Sequence, residues 1–225
     1  PHTDLETLPS VKDVYVTMLP GGDYKETAQK SGELIKKGFN PVPHFPSRSI
    51  SNEEELKDYI SRCKDVGVSQ VLVIGGSRDP IGKFDSSIQI LETGYFEGVK
   101  IGIAGHPEGS PDISDSELEK AMIEKKPYAD YIVTQWLLNS QPIVDFISKQ
   151  SVPVHVGITG PMKISSLIKF ANIVGAKNSI NFLKSNFSKA LDLLKPKDPN
   201  ELIGKVKKFT DNFHIYTFGG LKETN

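Results

Sequence analysis

The 225-residue chain carries 27 basic against 28 acidic residues, so no overall field draws it to nucleic acid or an anionic membrane surface. Hydrophobic residues make up 37%, ample for a core at this length, and no apolar run approaches the ~20 residues of a membrane helix. Its one cysteine, Cys63, excludes an internal disulfide framework and fits a reducing, cytoplasmic setting.

Residues Pro1 to Asp13 are polar and punctuated by proline, with at most one helical turn around Asp4 to Leu8. Val14–Leu19 reads as a strand closed by Pro20, Gly21 and Gly22, and Tyr24–Lys37 as a helix with an Ala28, Leu34, Ile35 inner stripe. Pro41–Phe45 is a poor strand by propensity, because two prolines remove ladder donors. Ser51 and Glu54 form a capping-box pattern for a helix through Cys63, which is read as an inert buried thiol. Gln70–Ile74 is the clearest buried strand, and it runs into the flexible loop Gly75-Gly76-Ser77-Arg78-Asp79-Pro80.

Lys83–Glu97 supplies the next crossover and Lys100–Ala104 the next strand. Ser114 and Glu117 repeat the capping-box pattern, opening a helix to about Lys126. There follow the strand of Asp130–Trp136, a helix over Ser140–Lys149, the strand Val152–Ile158 and a helix over Ile164–Ile173. Two further helices are expected between Lys177 and Phe209, and a last strand over Phe213–Phe218. Strand starts fall mostly about 27 to 30 residues apart, a βα rhythm. Seven strands are visible, and the expectation is a single α/β domain over 1–225, a (β/α)8 TIM barrel whose first strand lies upstream of Pro1. An open doubly wound sheet is the less favoured arrangement. Neither a Gly-x-Gly-x-x-Gly after a strand nor a Gly-Lys-Ser/Thr occurs, so a Rossmann or P-loop site is not indicated.

In a barrel the strand ends bring Thr17, His44, Ser77, His106, Glu108, Gln135 and Tyr216 towards one mouth. The histidines and Glu108 are too scattered for a metal site, and none is expected. His155 alternates with valines and reads as a core histidine; His2 and His214 read as surface or strand-edge residues. Glu108 suits general acid–base work or a structural role in the Pro107 turn, and the sequence does not choose between them. Gln135 ends a strand with a donor and an acceptor side by side, suited to a planar heterocycle, and Trp136 beside it looks exposed. The bland alternative for Gln135 is a hydrogen bond to its own surroundings.

Pro43-His44, then Ala104-Gly105-His106-Pro107-Glu108-Gly109-Ser110-Pro111, then Ala129-Asp130-Tyr131-Ile132-Val133-Thr134-Gln135 resemble the methylenetetrahydrofolate reductase family. Gly157-Ile158 with Lys169-Phe170-Ala171, and Tyr216-Thr217, continue the likeness in the right order over nearly the whole chain. The resemblance implies an eight-stranded barrel holding flavin adenine dinucleotide (FAD), which takes hydride from NAD(P)H and passes it to the methylene carbon of a folate. By the same resemblance Thr17, His44, Ala104 and His106 match flavin-contacting places, Gln135 the pterin-binding glutamine, and Ile164 a packing position on nicotinamide or folate. Trp136 stands where the family has an aromatic, and stacking on the substrate is its expected role.

Several positions depart from the family. Its Arg-Gly-Asp is Gly75-Gly76-Ser77 here, so the catalytic acidic role passes to Asp79 or is reduced to a hydrogen bond from Ser77. A lysine that pairs with the flavin phosphates falls at Glu124, leaving Lys125 and Lys126 to serve after a one-residue shift. The turn's closing histidine is Ser110, and an arginine past the last strand is Gly219 or Gly220. Three readings follow: a flavin-dependent folate reductase, a flavin-free one-carbon folate enzyme on the same barrel, and a non-catalytic folate-binding protein. Partners are expected to be a folate and a nicotinamide, with a homo-oligomer open and neither nucleic acid nor membrane involved.

Overall fold

The computed structural model describes residues 11–76, 79–110, 113–160, 162–163, 167–169, 196–197 and 199–217. The expected N-terminal turn, most of the expected 164–173 helix and the first of the two helices expected between Lys177 and Phe209 lie outside these residues, whereas the second forms over Asn200–Val206. The chain divides into two compact units, Pro1–Ala104 with Ile123–Asp130 (unit 1) and Gly105–Met122 with Tyr131–Asn225 (unit 2).

Unit 1 holds the strands β1 (Asp13–Val16), β2 (Asn40–Pro46), β3 (Gln70–Ile74) and β4 (Lys100–Gly105, its last residue counted with unit 2), and the helices α1 (Tyr24–Lys36), α2 (Glu53–Asp65) and α3 (Ser87–Leu91). The strands are parallel and lie side by side in chain order. Parallel neighbours need a crossover, and the helices supply it. Each crossover steps the same way, whereas a doubly wound sheet reverses its order once. The core forms where β2 and β3 meet α2: Phe45 stacks on Tyr59 with ring centroids 3.9 Å apart, and Val42, Leu56, Cys63 and Val71 are fully buried. Burial pushes the Cys63 thiol up to about 12, so it stays protonated and unreactive.

The strand of lowest propensity is nonetheless an interior strand, largely buried. Asn40 to Pro43 of β2 pair with β1, while the pairing with β3 begins only at His44. Asn40 N–H donates to Lys12 O at 2.8 Å, on the β1 side. With a two-residue period, the donors missing at Pro41 and Pro43 both fall on the other side, before β3 has joined. Two prolines are therefore tolerated in an interior strand without breaking a ladder bond. At α2 the expected capping box is replaced: Asn52, not Ser51, is the cap, its side chain accepting from Glu55 N–H at 2.9 Å. Asn is among the strongest N-caps, which explains the one-residue shift.

Helix α4 (Asp115–Lys125) joins the two units along the chain. Its capping box forms as the sequence predicts, with Ser114 N–H donating to Glu117 at 3.1 Å and Glu117 N–H to Ser114 Oγ at 3.4 Å. Unit 2 holds β5 (Tyr131–Trp136), α5 (Ser140–Ile147), β6 (Val154–Thr159), the short antiparallel pair β7 (Met162–Lys163) and β8 (Pro196–Lys197), α6 (Asn200–Val206) and β9 (Phe213–Tyr216). β5, β6 and β9 are parallel and adjacent in that order. Seven strands, parallel within their units and alternating with helices, fit an α/β barrel; an eighth such strand is absent among the described residues.

Candidate functional site

In unit 1, β2 carries His44 near its C-terminal end. Tyr59 Oη donates to the His44 carbonyl at 2.9 Å, tying this strand to α2, and Tyr15 meets the imidazole edge-on at 6.0 Å. The residue is half-buried as a whole, yet its Nε2 is buried and has no hydrogen-bond partner among the described residues. Burial lowers the imidazole pKa to about 4, so the ring is neutral at ordinary pH. Thr17 follows β1 and is exposed, while Ala104 lies half-buried on β4. Asp79 is exposed in the loop after β3. That loop is stapled to the segment after β2: Arg48 N–H and Ser47 Oγ both donate to the Gly75 carbonyl, at 3.0 and 3.2 Å. Ser77 lies outside the described residues, as do Ile164, Gly219 and Gly220.

Lys125 closes α4 and Lys126 opens the 3-10 turn that follows. Both are half-buried. Lys125 forms no ion pair among the described residues, and burial lowers its ammonium pKa. Glu124 is exposed. Taken singly, two groups here have the chemistry that the flavin implied by the resemblance would need: a desolvated imidazole nitrogen suits a polar heterocycle edge, and a desolvated ammonium suits a phosphate.

In unit 2 the chemistry gathers around an irregularity in β5. Val133 pairs with His155 and Trp136 with Gly157, so β5 spends three steps where β6 spends two. The extra residue makes a β-bulge at Thr134–Gln135, a device that re-aims side chains. Gly157 N–H donates to Thr134 Oγ1 at 2.8 Å, and Tyr216 Oη donates to the Thr134 carbonyl at 3.1 Å. His214 packs edge-on against the Tyr216 ring at 4.5 Å. Gln135 is half-buried, and its Oε1 accepts from Trp136 N–H at 3.3 Å. The local hydrogen bond that the sequence left open as an alternative is therefore present, but it engages only the acceptor.

Trp136 corrects an expectation: the indole is 0% exposed, not a surface stacking platform. It sits on a strand buried on both faces, as parallel strands usually are. His106 and Glu108 are half-buried in a turn closed by Gly109 N–H donating to His106 O at 3.1 Å. His155 stacks on Tyr131 at 4.6 Å. The structure thus links Tyr216, Thr134 and Gly157 in one hydrogen-bond network beside Gln135, and it places His106 and Glu108 in the turn after β4. The sequence reading missed Thr134 and Gly157 as parts of this network. A glycine inside the apolar run of β6 was the available signal, since such a glycine marks a bulge or a close backbone approach. Among the described residues no cluster of three or more His, Cys, Asp or Glu is placed to hold a metal, and no helix is long and apolar enough to cross a membrane.

No family model matches the chain. Methylenetetrahydrofolate reductase 1 of Schizosaccharomyces pombe is 25% identical over 191 residues, covering 76% of this chain and 31% of its own length. The chain thus spans about a third of that relative. Among solved structures, a Burkholderia cenocepacia J2315 protein provisionally assigned as a phosphonomutase aligns with a TM-score of 0.44 at 14% identity, over 59% of this chain and 62% of its own. A Clostridium thermocellum protein that binds two copies of 5-methyl-5,6,7,8-tetrahydrofolic acid aligns at 0.42 and 15%, over 94% and 88%. Likenesses at that level carry no argument here. The sequence relative agrees with the motifs: over the matched residues the chain is similar to a methylenetetrahydrofolate reductase.

Proposed function

We propose that this chain binds a reduced folate through Gln135 and, on a (β/α)8 barrel, catalyses its flavin-dependent reduction from 5,10-methylene- to 5-methyltetrahydrofolate with NAD(P)H. The observation that carries the folate reading is the Gln135 amide, set on a fixed bulge within the Asp-x-Ile-x-Thr-Gln strand that the sequence shares with the reductases. When bound, FAD would supply a relay for hydride between nicotinamide and folate. His44 would meet the flavin as a neutral group, and Lys125, with Lys126 beside it, would meet phosphate. Thr17, Ala104 and His106 would flank the flavin by family position. Asp79 is the acidic side chain after β3 assigned to stabilising the developing cation of the folate, with Ser77 able to supply a hydrogen bond but no charge. A bound folate would pack against Ile164, while Trp136 supports the strand from within.

The test is folate binding by wild type and Gln135→Ala, together with visible absorbance of the purified protein. Leaving a buried polar atom unpaired costs about 1–3 kcal/mol, so Gln135→Ala should weaken 5-methyltetrahydrofolate binding by that amount. Equal affinity of wild type and variant would overturn the role of Gln135. Folate binding by a protein that takes up no FAD, even in excess, would replace the reductase reading with a flavin-free folate enzyme or binder.

A further inference from the structure

The bulge in β5 does more than interrupt a ladder. In a regular parallel pair the Gly157 N–H would donate to a β5 carbonyl. Here it donates instead to the Thr134 hydroxyl, at 2.8 Å, and the freed Thr134 carbonyl takes the Tyr216 hydroxyl at 3.1 Å. Two side chains thus replace ladder bonds at one residue, and Thr134 is fully buried. The approach is close as well: a Cβ on Gly157 would lie 2.5 Å from the Thr134 carbonyl oxygen and 2.8 Å from the Gln135 carbonyl carbon and oxygen. Only glycine lets β6 run this near the backbone that carries Gln135.

The amide of Gln135 is oriented by the same local backbone. Trp136 N–H is a donor, so only Oε1 can meet it; this fixes which end of the amide is used. Nε2 is then the atom left for a ligand. We propose that Thr134 and Tyr216, with Gly157, are positioning residues that aim Gln135 Nε2 as a hydrogen-bond donor, so that the recognised ligand presents an acceptor there, such as a ring nitrogen or carbonyl of a pterin. The aiming rests on this chain's geometry, and the ligand class rests on the folate reading above.

A double-mutant cycle tests it, with 5-methyltetrahydrofolate as probe and Tyr216→Phe combined with Gln135→Ala. Coupled neighbours show interaction energies that correspond to roughly two- to 150-fold in affinity. Tyr216→Phe should weaken binding by that factor in the wild-type background and add nothing to Gln135→Ala. Thr134→Ser, which keeps the hydroxyl, should retain affinity that Thr134→Val loses. A ligand-free readout separates the two ideas. The Gln135 side-chain amide resonances, identified by their loss in Gln135→Ala, should shift in folded Tyr216→Phe. Resonances that move in a protein without folate affinity would sustain the positioning and sink the folate reading. Unmoved resonances, or a Tyr216→Phe effect of the same size in both backgrounds, would overturn the positioning.

Discussion

At the end of β2 in unit 1, His44 keeps a buried Nε2 without a hydrogen bond, whereas at the bulge of β5 in unit 2 the Thr134 hydroxyl and carbonyl are both satisfied from within. An unpartnered buried polar atom costs about 1–3 kcal/mol, so the first arrangement persists at a loss that a ligand would recover. The second arrangement loses nothing and gains rigidity, because each of its members is fixed by another. One strand end is poised for a partner; the other is a frame that holds a single amide. The same contrast extends to Lys125 in unit 1, which is desolvated and forms no ion pair among the described residues.

The sharpest way to break this contrast is through rate. If Asp79 carries the acidic role, Asp79→Asn should slow folate reduction roughly ten- to a thousandfold with flavin reduction by nicotinamide spared, as stopped-flow half-reactions would show. A silent Asp79→Asn, with Ser77→Asp raising activity instead, would move the acidic role to position 77.

Next in size is a pH effect on stability. In the unfolded chain the imidazole titrates near its ordinary 6.5, while in the fold burial holds His44 neutral down to about 4. The unfolded state therefore takes up the proton first. Stability present above about pH 6.5 falls as the pH drops towards 4, by at most about 3 kcal/mol. Denaturant melts at pH 7 and pH 4.5 should show this loss, and His44→Leu should remove most of it. A wild type whose stability is flat across that range would mean that His44 is hydrated, and the contrast with Thr134 would vanish.

Gly157→Ala tests the frame. The added methyl has no room against the Thr134 and Gln135 backbone, and overpacking of this kind costs about 1–3 kcal/mol. Thermal unfolding reads the cost directly; a variant as stable as wild type would show that the bulge yields. The smallest effect belongs to Lys125→Met, which replaces a desolvated ammonium by an apolar chain of similar length. It should alter stability by less than about 1 kcal/mol, and in the favourable direction. FAD affinity should fall and lose part of its salt dependence. If FAD binding is unaffected, Lys125 is not a phosphate ligand.

The sequence named candidate residues, and what it left unsaid about their surroundings has physical reasons. Gln135 stood out because a polar amide ending an apolar run is a local pattern. His44 was found by motif, but nothing in Pro43-His44 foretells that its ring nitrogen is buried and neutral, because desolvation comes from other elements of the fold. Trp136 misled for the converse reason: an indole after Thr-Gln looks exposed until its neighbours cover it. Thr134 was passed over because its role depends on Gly157 and Tyr216, which lie 23 and 82 residues away along the chain.

By itself the sequence determined what depends on near neighbours. The buried run Gln70–Ile74, the α1 stripe and the Ser114–Glu117 capping box all form where residue period and cap chemistry place them. It also determined the family likeness, since motifs are strings. Only the tertiary structure decided that a proline-bearing segment becomes an interior strand, because the register of β1 and β3 places its missing donors where no ladder bond is due. Only the tertiary structure decided that β5 slips by one residue against β6. Register is a relation between strands, set by what each buries against the other, and neither strand carries it alone.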